Sequence, residues 1–172
     1  LFVLLVVSAL PLHAAELFGV RLQDAKRDEL RSAVKKSGIN LIREGGESAF
    51  FDVYDSRELL AGSTHLYLGF VKQDQSFAFA EYSFNGLKQP RLLDKLIAKY
   101  GKPQRKQGKF LSDHSYLWRS GSITIAVDCD WHNYRTRLTY FDPDKLGLLR
   151  REQGDHRRQL RPENVDFVDQ AY

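Results

Sequence analysis

The chain of 172 residues has only one cysteine, and the lack of a second thiol excludes an internal disulfide. Five prolines and twelve glycines are too few for a low-complexity chain. No apolar run reaches the roughly 20 residues that a membrane-spanning helix needs. With 42% hydrophobic and 28% charged residues, the composition is that of an ordinary globular protein, whose stability must come from packing.

Motifs for catalysis and cofactor binding are also missing. The sequence has no Gly-x-Ser-x-Gly elbow, no His-Glu-x-x-His pair, no Cys-x-x-Cys and no phosphate-binding glycine loop. His65 and His114 each precede a predicted strand, where hydrogen-bonding roles are commoner than catalysis. These absences favour a protein without enzymatic activity, and we expect no cofactor and no catalytic residue. A carboxylate pair for glycoside hydrolysis stays open, because its members need only be close in space.

The first fifteen residues carry no charge and are followed at once by Glu16. Pro11 and the small alanines after it are typical of a cleavage region. We therefore predict that residues 1–15 are a signal peptide truncated at its start, cut after Ala15 or one residue earlier, and that the protein is periplasmic or secreted. A buried N-terminal strand or helix is the alternative interpretation.

The most regular pattern lies between Arg119 and Phe141, where two alternating runs flank a polar break and predict an antiparallel hairpin. Alternate side chains of a strand project to opposite faces. The predicted core side consists of Ile123, Ile125, Val127, Cys129, Trp131, Thr136, Leu138 and Tyr140. The predicted outer side, mostly solvated, consists of Thr124, Ala126, Asp128, Asp130, His132, Arg135, Arg137 and Thr139. Cys129 is thus expected to be a buried, unreactive thiol whose acidic neighbours raise its pKa.

Helix and strand patterns occur in two similar halves. Apolar spacing predicts a helix with Asp24 as N-cap that ends at Gly38, and a second from Pro90 to Gly101. The residues at the two helix ends match, which indicates an internal duplication of about 60 residues, with chance similarity as the alternative. The predicted fold class is α+β, as two tandem helix-plus-four-stranded antiparallel sheet repeats at 16–87 and 88–149. Residues 150–172 are predicted to be a polar flexible tail.

The net charge of +4 is concentrated in one segment, because Lys88 to Phe110 carries eight basic residues against Asp94. The predicted basic surface consists of Arg91, Lys95, Lys99, Lys102, Arg105 and Lys106. Such a surface suits anionic envelope polymer, lipid head groups or an acidic protein. Alternatively, these residues are only the solvated side of an amphipathic helix. No basic motif interleaved with aromatics is present, so we expect no nucleic-acid partner.

Asp128, Asp130 and His132 project from one face of a strand, and two carboxylates with an imidazole can bind a divalent metal. Their side chains should lie roughly 7 Å apart, too far to close around one ion, so we predict no metal site. A small envelope hydrolase or metal-dependent enzyme with a site here is the alternative function.

Aromatic residues are dense on the predicted strands, and aromatics with arginines on an open sheet face would make a protein-binding surface. Tyr67, Tyr134, Arg135 and Arg137 are the predicted anchors. The alternative is that these side chains pack under the helices or lie scattered singly.

A helix ending Lys-Tyr-Gly-Lys-Pro at 99–103, a strand, a strand with Tyr116 and Trp118, and an alternating hairpin resemble the small exported α+β modules of the BamE and β-lactamase-inhibitor-protein type. The resemblance covers 88–142, with a fainter copy in 17–84. This chain lacks the lipid-anchoring cysteine, and has one cysteine where the inhibitor proteins use disulfides. The resemblance implies a tandem helix-on-antiparallel-sheet fold that acts by binding, with no site residues carried over. We expect the partner to be a protein of the cell envelope that docks on the sheet face.

Overall fold

A computed structural model describes residues 14–45, 50–86, 89–107, 114–130 and 132–160. The predicted α+β class is confirmed: three helices accompany a large antiparallel sheet and a small two-stranded one. The elements are β1 Glu16–Leu17, β2 Val20–Arg21, α1 Arg27–Lys36, β3 Asn40–Arg43, β4 Phe51–Asp55, β5 Ser63–Phe70, β6 Phe77–Asn85, α2 Gln89–Tyr100, β7 Gln104–Gln107, β8 His114–Ser120, β9 Ile123–Asp130, β10 Arg135–Phe141 and α3 Pro143–Leu160.

The large sheet has eight strands in the order β3-β4-β5-β6-β10-β9-β8-β7. Each set of four consecutive strands forms a meander, and the two sets meet where β6 pairs with β10, from Arg135 opposite Asn85 to Phe141 opposite Phe79. Strands distant in sequence are therefore neighbours in the middle of the sheet. β1 and β2 form the small separate sheet.

The main core lies between one face of the large sheet and the helices α1 and α2. Leu30 and Val34 of α1 are fully buried, and Leu92 and Leu96 of α2 belong to the same cluster as Val127 of β9. Burying an aliphatic side chain of this size stabilises the fold by about 1.5–3 kcal/mol. This face therefore supplies most of the packing energy.

The predicted hairpin is confirmed as β9 and β10, in register from Arg135 opposite Asp130 to Phe141 opposite Thr124. Its predicted core side chains are buried at every described position, while Trp131 lies outside the described residues. Cys129 is buried, and desolvation together with the charge of Asp128 raises its pKa to about 12. This agrees with the prediction of an unreactive thiol.

The prediction of a mostly solvated outer side is wrong for part of the hairpin, because Thr124 and Ala126 are buried. The helix α3 lies on this second face, where Leu149 forms a small cluster with Val71 and Ala78. Two main-chain amides, those of Lys72 and Gln73, also donate to the Glu152 carboxylate at 2.6 and 3.1 Å.

Because α3 continues to Leu160, the prediction of a flexible tail is wrong for residues 150–160. The helix starts at Pro143, a favoured first helical residue, directly after Asp142. Its apolar contacts lie in its first half, and the polar residues that follow extend the same helix. Residues 161–172 of the predicted tail lie outside the described residues.

Replacing Asp142 with alanine should lower the free energy of unfolding by about 0.5–2 kcal/mol, because Asp142 caps α3. Its Oδ1 accepts hydrogen bonds from the amides of Asp144 and Lys145 at 3.1 and 3.2 Å, and its Oδ2 accepts one from the Ser122 hydroxyl at 2.8 Å. Hydrogen exchange of α3 amides in the folded protein is the measurement. Ser122→Ala, which leaves the cap intact, should have the smaller effect. Unchanged protection of α3 in Asp142→Ala would contradict the capping role.

Helix boundaries differ from the prediction in detail. Helix α1 begins at Arg27 after Lys26, which makes no side-chain cap, so Asp24 is not the N-cap. Instead, the residue directly before the helix, Lys26, forms an isolated antiparallel bridge with Ser76. Asp24 lies two residues further upstream. Gly38 follows the helix with φ +77°, the left-handed conformation that the predicted C-terminal glycine requires.

A buried ion cluster, which no local sequence pattern predicts, connects α1 to the sheet. Asp52 of β4 is fully buried and accepts hydrogen bonds from Arg31 Nε and Nη2 at 2.9 and 2.7 Å. Arg27, also buried, places Nη2 3.5 Å from Asp52 Oδ1 and its guanidinium 5.0 Å from the ring centre of Phe70. The amide of Gly45 donates to the same oxygen at 3.0 Å. Hydrogen bonding to Asp52 raises the pKa of Arg31.

Within the described residues, no helix is both long enough and apolar enough to cross a membrane. Residues 1–13 of the predicted signal peptide lie outside that description. Ala15 is buried in the main core, and its carbonyl accepts a hydrogen bond from the amide of Leu22 at 3.0 Å. A cut after Ala15 would therefore remove a core contact that a cut after Ala14 would keep.

Candidate functional site

The middle of the second sheet face, beyond α3, is open. Along β10, Thr136 and Leu138 are buried on the core side, while Arg135 and Arg137 are exposed on the opposite side. The alternation of the strand thus places both predicted arginines on the open face, as expected.

A groove of about 490 Å³ runs across this open face, and we call it the central groove. It is lined by residues of β5, β6, β9 and β10 and of the β9–β10 turn. Three of the four predicted anchors, Tyr67, Arg135 and Arg137, line it together with Glu81 and Asn133. Because β5 and β10 are distant in sequence, only the β6–β10 pairing brings these anchors together.

One wall of the central groove is aromatic. Tyr67 is half-buried, and its ring meets Phe51 edge to face with 6.2 Å between ring centres. The His65 ring centre lies 6.0 Å from that of Tyr67, and the guanidinium group of Arg43 lies 5.1 Å from the ring centre of Phe51. These contacts pack the tyrosine ring against its neighbours, and its exposed part offers a flat surface to a ligand.

The floor of the central groove carries Glu81, which lies opposite Tyr67 on β5 and opposite Thr139 on β10. Burial raises the pKa of this carboxyl group, Arg137 lowers it, and Asp128 raises it again. Glu81 is thus a partly desolvated acid whose charged form is disfavoured by its surroundings.

The two acids of the predicted cluster, Asp128 and Asp130, accept hydrogen bonds from different neighbours. Asp128 accepts a hydrogen bond from the Ser115 hydroxyl, and Asp130 accepts two from Asn133, from the amide at 3.0 Å and from Nδ2 at 2.7 Å. The bonds to Asn133 hold the pKa of Asp130 below its usual range. Nowhere in the described part of the chain do three His, Cys, Asp or Glu residues come close enough to hold a metal ion.

The fourth predicted anchor, Tyr134, lies at the β9–β10 turn and is not among the residues that line the central groove. It is 64% exposed and has a positive φ of 51°, a conformation that costs a non-glycine residue about 1–3 kcal/mol. Its carbonyl accepts a hydrogen bond from the amide of Gly86 at 3.0 Å, and its ring lies beside that glycine. The tyrosine is therefore fixed at the rim of the open face.

A second cavity, of about 530 Å³, lies between α3 and the sheet. Glu81 and Arg137 line both this cavity and the central groove, and Arg150 of α3 reaches the second cavity from above. The two spaces are thus neighbours on one face. The wall that α3 supplies does not follow from the polar composition of residues 150–160, although the Asp142-Pro143 pair is a helix-start signal that predicts it.

Half of the predicted basic surface, Arg91, Lys95 and Lys99, lies on α2, on the other side of the sheet, and Lys102 follows the helix. Arg91, Lys95, Lys99 and Lys102 are exposed, and the first three follow one another at four-residue intervals along one helix side. The side chains of Arg105 and Lys106 on β7 lie outside the described residues. Ile97, predicted as part of the apolar stripe, is 43% exposed.

No protein-family model matches the sequence, and no curated protein matches it. Among solved structures, the chain is similar to a DUF4309 family protein, YjgB, from Bacillus subtilis, with 14% identity and a TM-score of 0.42. The match covers 72% of this chain and 82% of that one. A likeness at this level supports no statement about fold or function, so the candidate site rests on the geometry of this chain alone.

Proposed function

We propose that the protein is an exported, non-enzymatic binding protein of the cell envelope, whose partner is another protein that docks on the open sheet face. The observation that carries the proposal is the central groove, in which Tyr67, Arg135 and Arg137 converge from two halves of the chain. Tyrosine and arginine are the side chains that most often dominate binding energy at protein interfaces. Export is proposed from the signal-like residues 1–15.

The proposal includes a tandem organisation of the BamE and β-lactamase-inhibitor-protein type, with repeats at 16–87 and 88–149. It is supported by the element order, in which α1 precedes the meander β3–β6 and α2 precedes the meander β7–β10. The antiparallel β6–β10 junction places the last strands of the two proposed repeats side by side. The central groove would then lie over the repeat junction.

A second candidate function is attachment to anionic envelope polymer or lipid head groups through α2. It is favoured by the regular row of Arg91, Lys95 and Lys99, which are all exposed. Lys99 also lies 5.2 Å from the ring centre of Tyr100, so its position is partly fixed. Attachment of this kind is weakened strongly by salt, whereas a packed protein interface is not.

Capture from envelope extract should distinguish the two candidates. Tagged protein, Arg135→Ala/Arg137→Ala and Arg91→Ala/Lys95→Ala are compared at low and high salt. The two double variants remove equal charge from opposite sheet faces. We expect a protein partner that is retained at high salt. Its capture should fall at least tenfold with Arg135→Ala/Arg137→Ala, because loss of one interface hot spot costs about 2 kcal/mol or more. Its capture should be unchanged with Arg91→Ala/Lys95→Ala.

Capture only at low salt, weakened most by Arg91→Ala/Lys95→Ala, would instead favour the α2 candidate. Equal capture by all three proteins would contradict docking on the open face. Circular dichroism of each variant checks that the exposed substitutions leave the fold intact.

A further inference from the structure

The two arginines of the central groove make no direct ion pair with any described residue, although the charge of Arg137 acts on Glu81 and Asp130 in the direction that lowers the pKa of each carboxyl group. Within the described part of the chain, neither Arg135 nor Arg137 takes part in a salt bridge or hydrogen bond, although five other arginines do. Both are exposed side chains on the same side of β10. Two guanidinium groups with free donors therefore face one recess.

Each arginine has an acid directly across from it on β9, and within the described residues neither acid forms a direct ion pair with it. Arg137 lies opposite Asp128, and Arg135 lies opposite Asp130. Asp128 accepts from Ser115 of β8, and Asp130 accepts from Asn133 of the turn. These bonds occupy the carboxylates, so the charge of Arg137 acts on Asp130 without a direct hydrogen bond. The guanidinium donors of both arginines are left for a ligand.

The spacing of the two arginines suits a ligand with two anionic groups. Alternate residues of a strand lie about 7 Å apart, so each guanidinium group can bind a carboxylate of its own. Two acidic side chains at positions i and i+2 of an extended segment have the same spacing. Each could form a paired hydrogen bond with one planar guanidinium group, the strong form of this interaction.

We propose that the central groove binds an extended acidic segment of a protein partner, with two carboxylate side chains two residues apart paired to Arg135 and Arg137. The inference rests on the proposed function and adds the chemistry of the partner. Tyr67 supplies the flat surface against which the segment's backbone or an intervening side chain lies. The volume of about 490 Å³ accommodates a few side chains.

The acids around the groove favour a peptide over a densely charged polyanion. Glu81 and Asp130 both line the groove, and each would repel a continuous row of phosphates. A peptide with two isolated carboxylates can place them at the arginines and leave neutral atoms over Glu81. Glu81 should then select against ligands that carry further negative charges between or beside the two paired carboxylates.

The test uses three synthetic hexapeptides with blocked ends, titrated into the purified chain by calorimetry and followed by the arginine Nε–Hε signals in NMR spectra. The probe is Gly-Glu-Thr-Glu-Tyr-Gly, the neutral control has Gln for both Glu residues, and the third has Lys. The Glu peptide should bind at least tenfold more tightly than the Gln peptide, and the Lys peptide should show no binding.

Variants locate the interaction. Arg135→Ala/Arg137→Ala should weaken binding of the Glu peptide at least tenfold, and Arg91→Ala/Lys95→Ala should leave it unchanged. Glu81→Gln should tighten it severalfold, because the substitution removes a negative charge from the groove floor. Equal binding of the Glu and Gln peptides would overturn the inference, as would equal losses from both double variants, or no binding of the Glu peptide at millimolar concentration. Binding of phosphatidylglycerol vesicles with no binding of the Glu peptide would overturn it in favour of a lipid surface.

The two proposals fail in different ways. If extract capture depends on Arg135 and Arg137 but the Glu peptide neither binds nor competes, the open face binds a protein of other chemistry, and only the inference is wrong. If capture does not depend on the open face while the Glu peptide does not bind either, the proposed function itself is wrong.

Discussion

Asp52→Ala should lower the free energy of unfolding by about 3–5 kcal/mol, the usual cost of removing one partner from a buried ion pair. The carboxylate is fully buried and receives both arginines of α1 and the Gly45 amide. Without it, the side chain of Arg27, only 4% exposed, keeps its charge and loses the ion pair with Asp52. For a chain of this size, the loss corresponds to a fall in melting temperature of about 10 °C.

The measurement is urea unfolding, and the control is Asp155→Ala. Asp155 pairs with Arg158 on the exposed side of α3, so its loss should change the free energy of unfolding by less than about 1 kcal/mol. A triple variant, Arg27→Met/Arg31→Met/Asp52→Leu, replaces the cluster with apolar side chains and should recover most of the stability that Asp52→Ala loses. Equal stability of Asp52→Ala and Asp155→Ala would show that the cluster contributes little.

The burial of Asp52 could not be predicted from its own strand. A single acid between Phe51 and Val53 has the pattern of a residue on a solvated face. Its burial is decided by Arg27 and Arg31, which precede it by 25 and 21 residues and meet it only after α1 docks on the sheet. Local alternation predicts which residues share a face, but not whether a helix covers that face.

The same limit explains why only part of the central groove could be predicted from the sequence. Alternation along β10 was sufficient to predict that Arg135 and Arg137 share a face, and the hairpin register confirms it. The approach of Tyr67 and Glu81 to those arginines depends on the strand order β5-β6-β10, which the sequence does not specify. The arginine-rich composition of 150–160 led to the prediction of a tail, although a capped helix start precedes it at Asp142.

Gly69 of β5 lies directly opposite Phe79 of β6, and the phenyl ring covers the glycine. A Cβ atom at Gly69 would lie 2.0 Å from Cε1 of that ring, a distance at which one of the two must move. Phe79 packs in turn against the small cluster of Val71, Ala78 and Leu149 under α3. The absence of a side chain at Gly69 thus leaves room for the ring of Phe79, which in turn contacts the cluster on which α3 packs.

Gly69→Ala should therefore lower the free energy of unfolding by about 1–3 kcal/mol, the cost of overpacking, even though alanine in a strand interior ordinarily gains about 0.5–1 kcal/mol over glycine. In the background of Phe79→Ala, the ring is absent and the sign should reverse, so that Gly69→Ala becomes neutral or stabilising. Gly154→Ala in α3 serves as the matched control, because a Cβ there meets no atom within 4 Å. It should stabilise the helix by about 1 kcal/mol.

Urea unfolding of the four proteins of the Gly69–Phe79 double-mutant cycle gives the coupling free energy. Hydrogen exchange tests its path: if Phe79 transmits the strain, Gly69→Ala should increase exchange in α3 and leave α1 and α2 protected, because those helices pack on the opposite sheet face. A destabilised protein with α3 protected as in the parent would mean that the strain is absorbed between β5 and β6. Faster exchange of the α3 amides would show that Gly69 is required for the docking of α3, the helix that forms the wall beside the central groove.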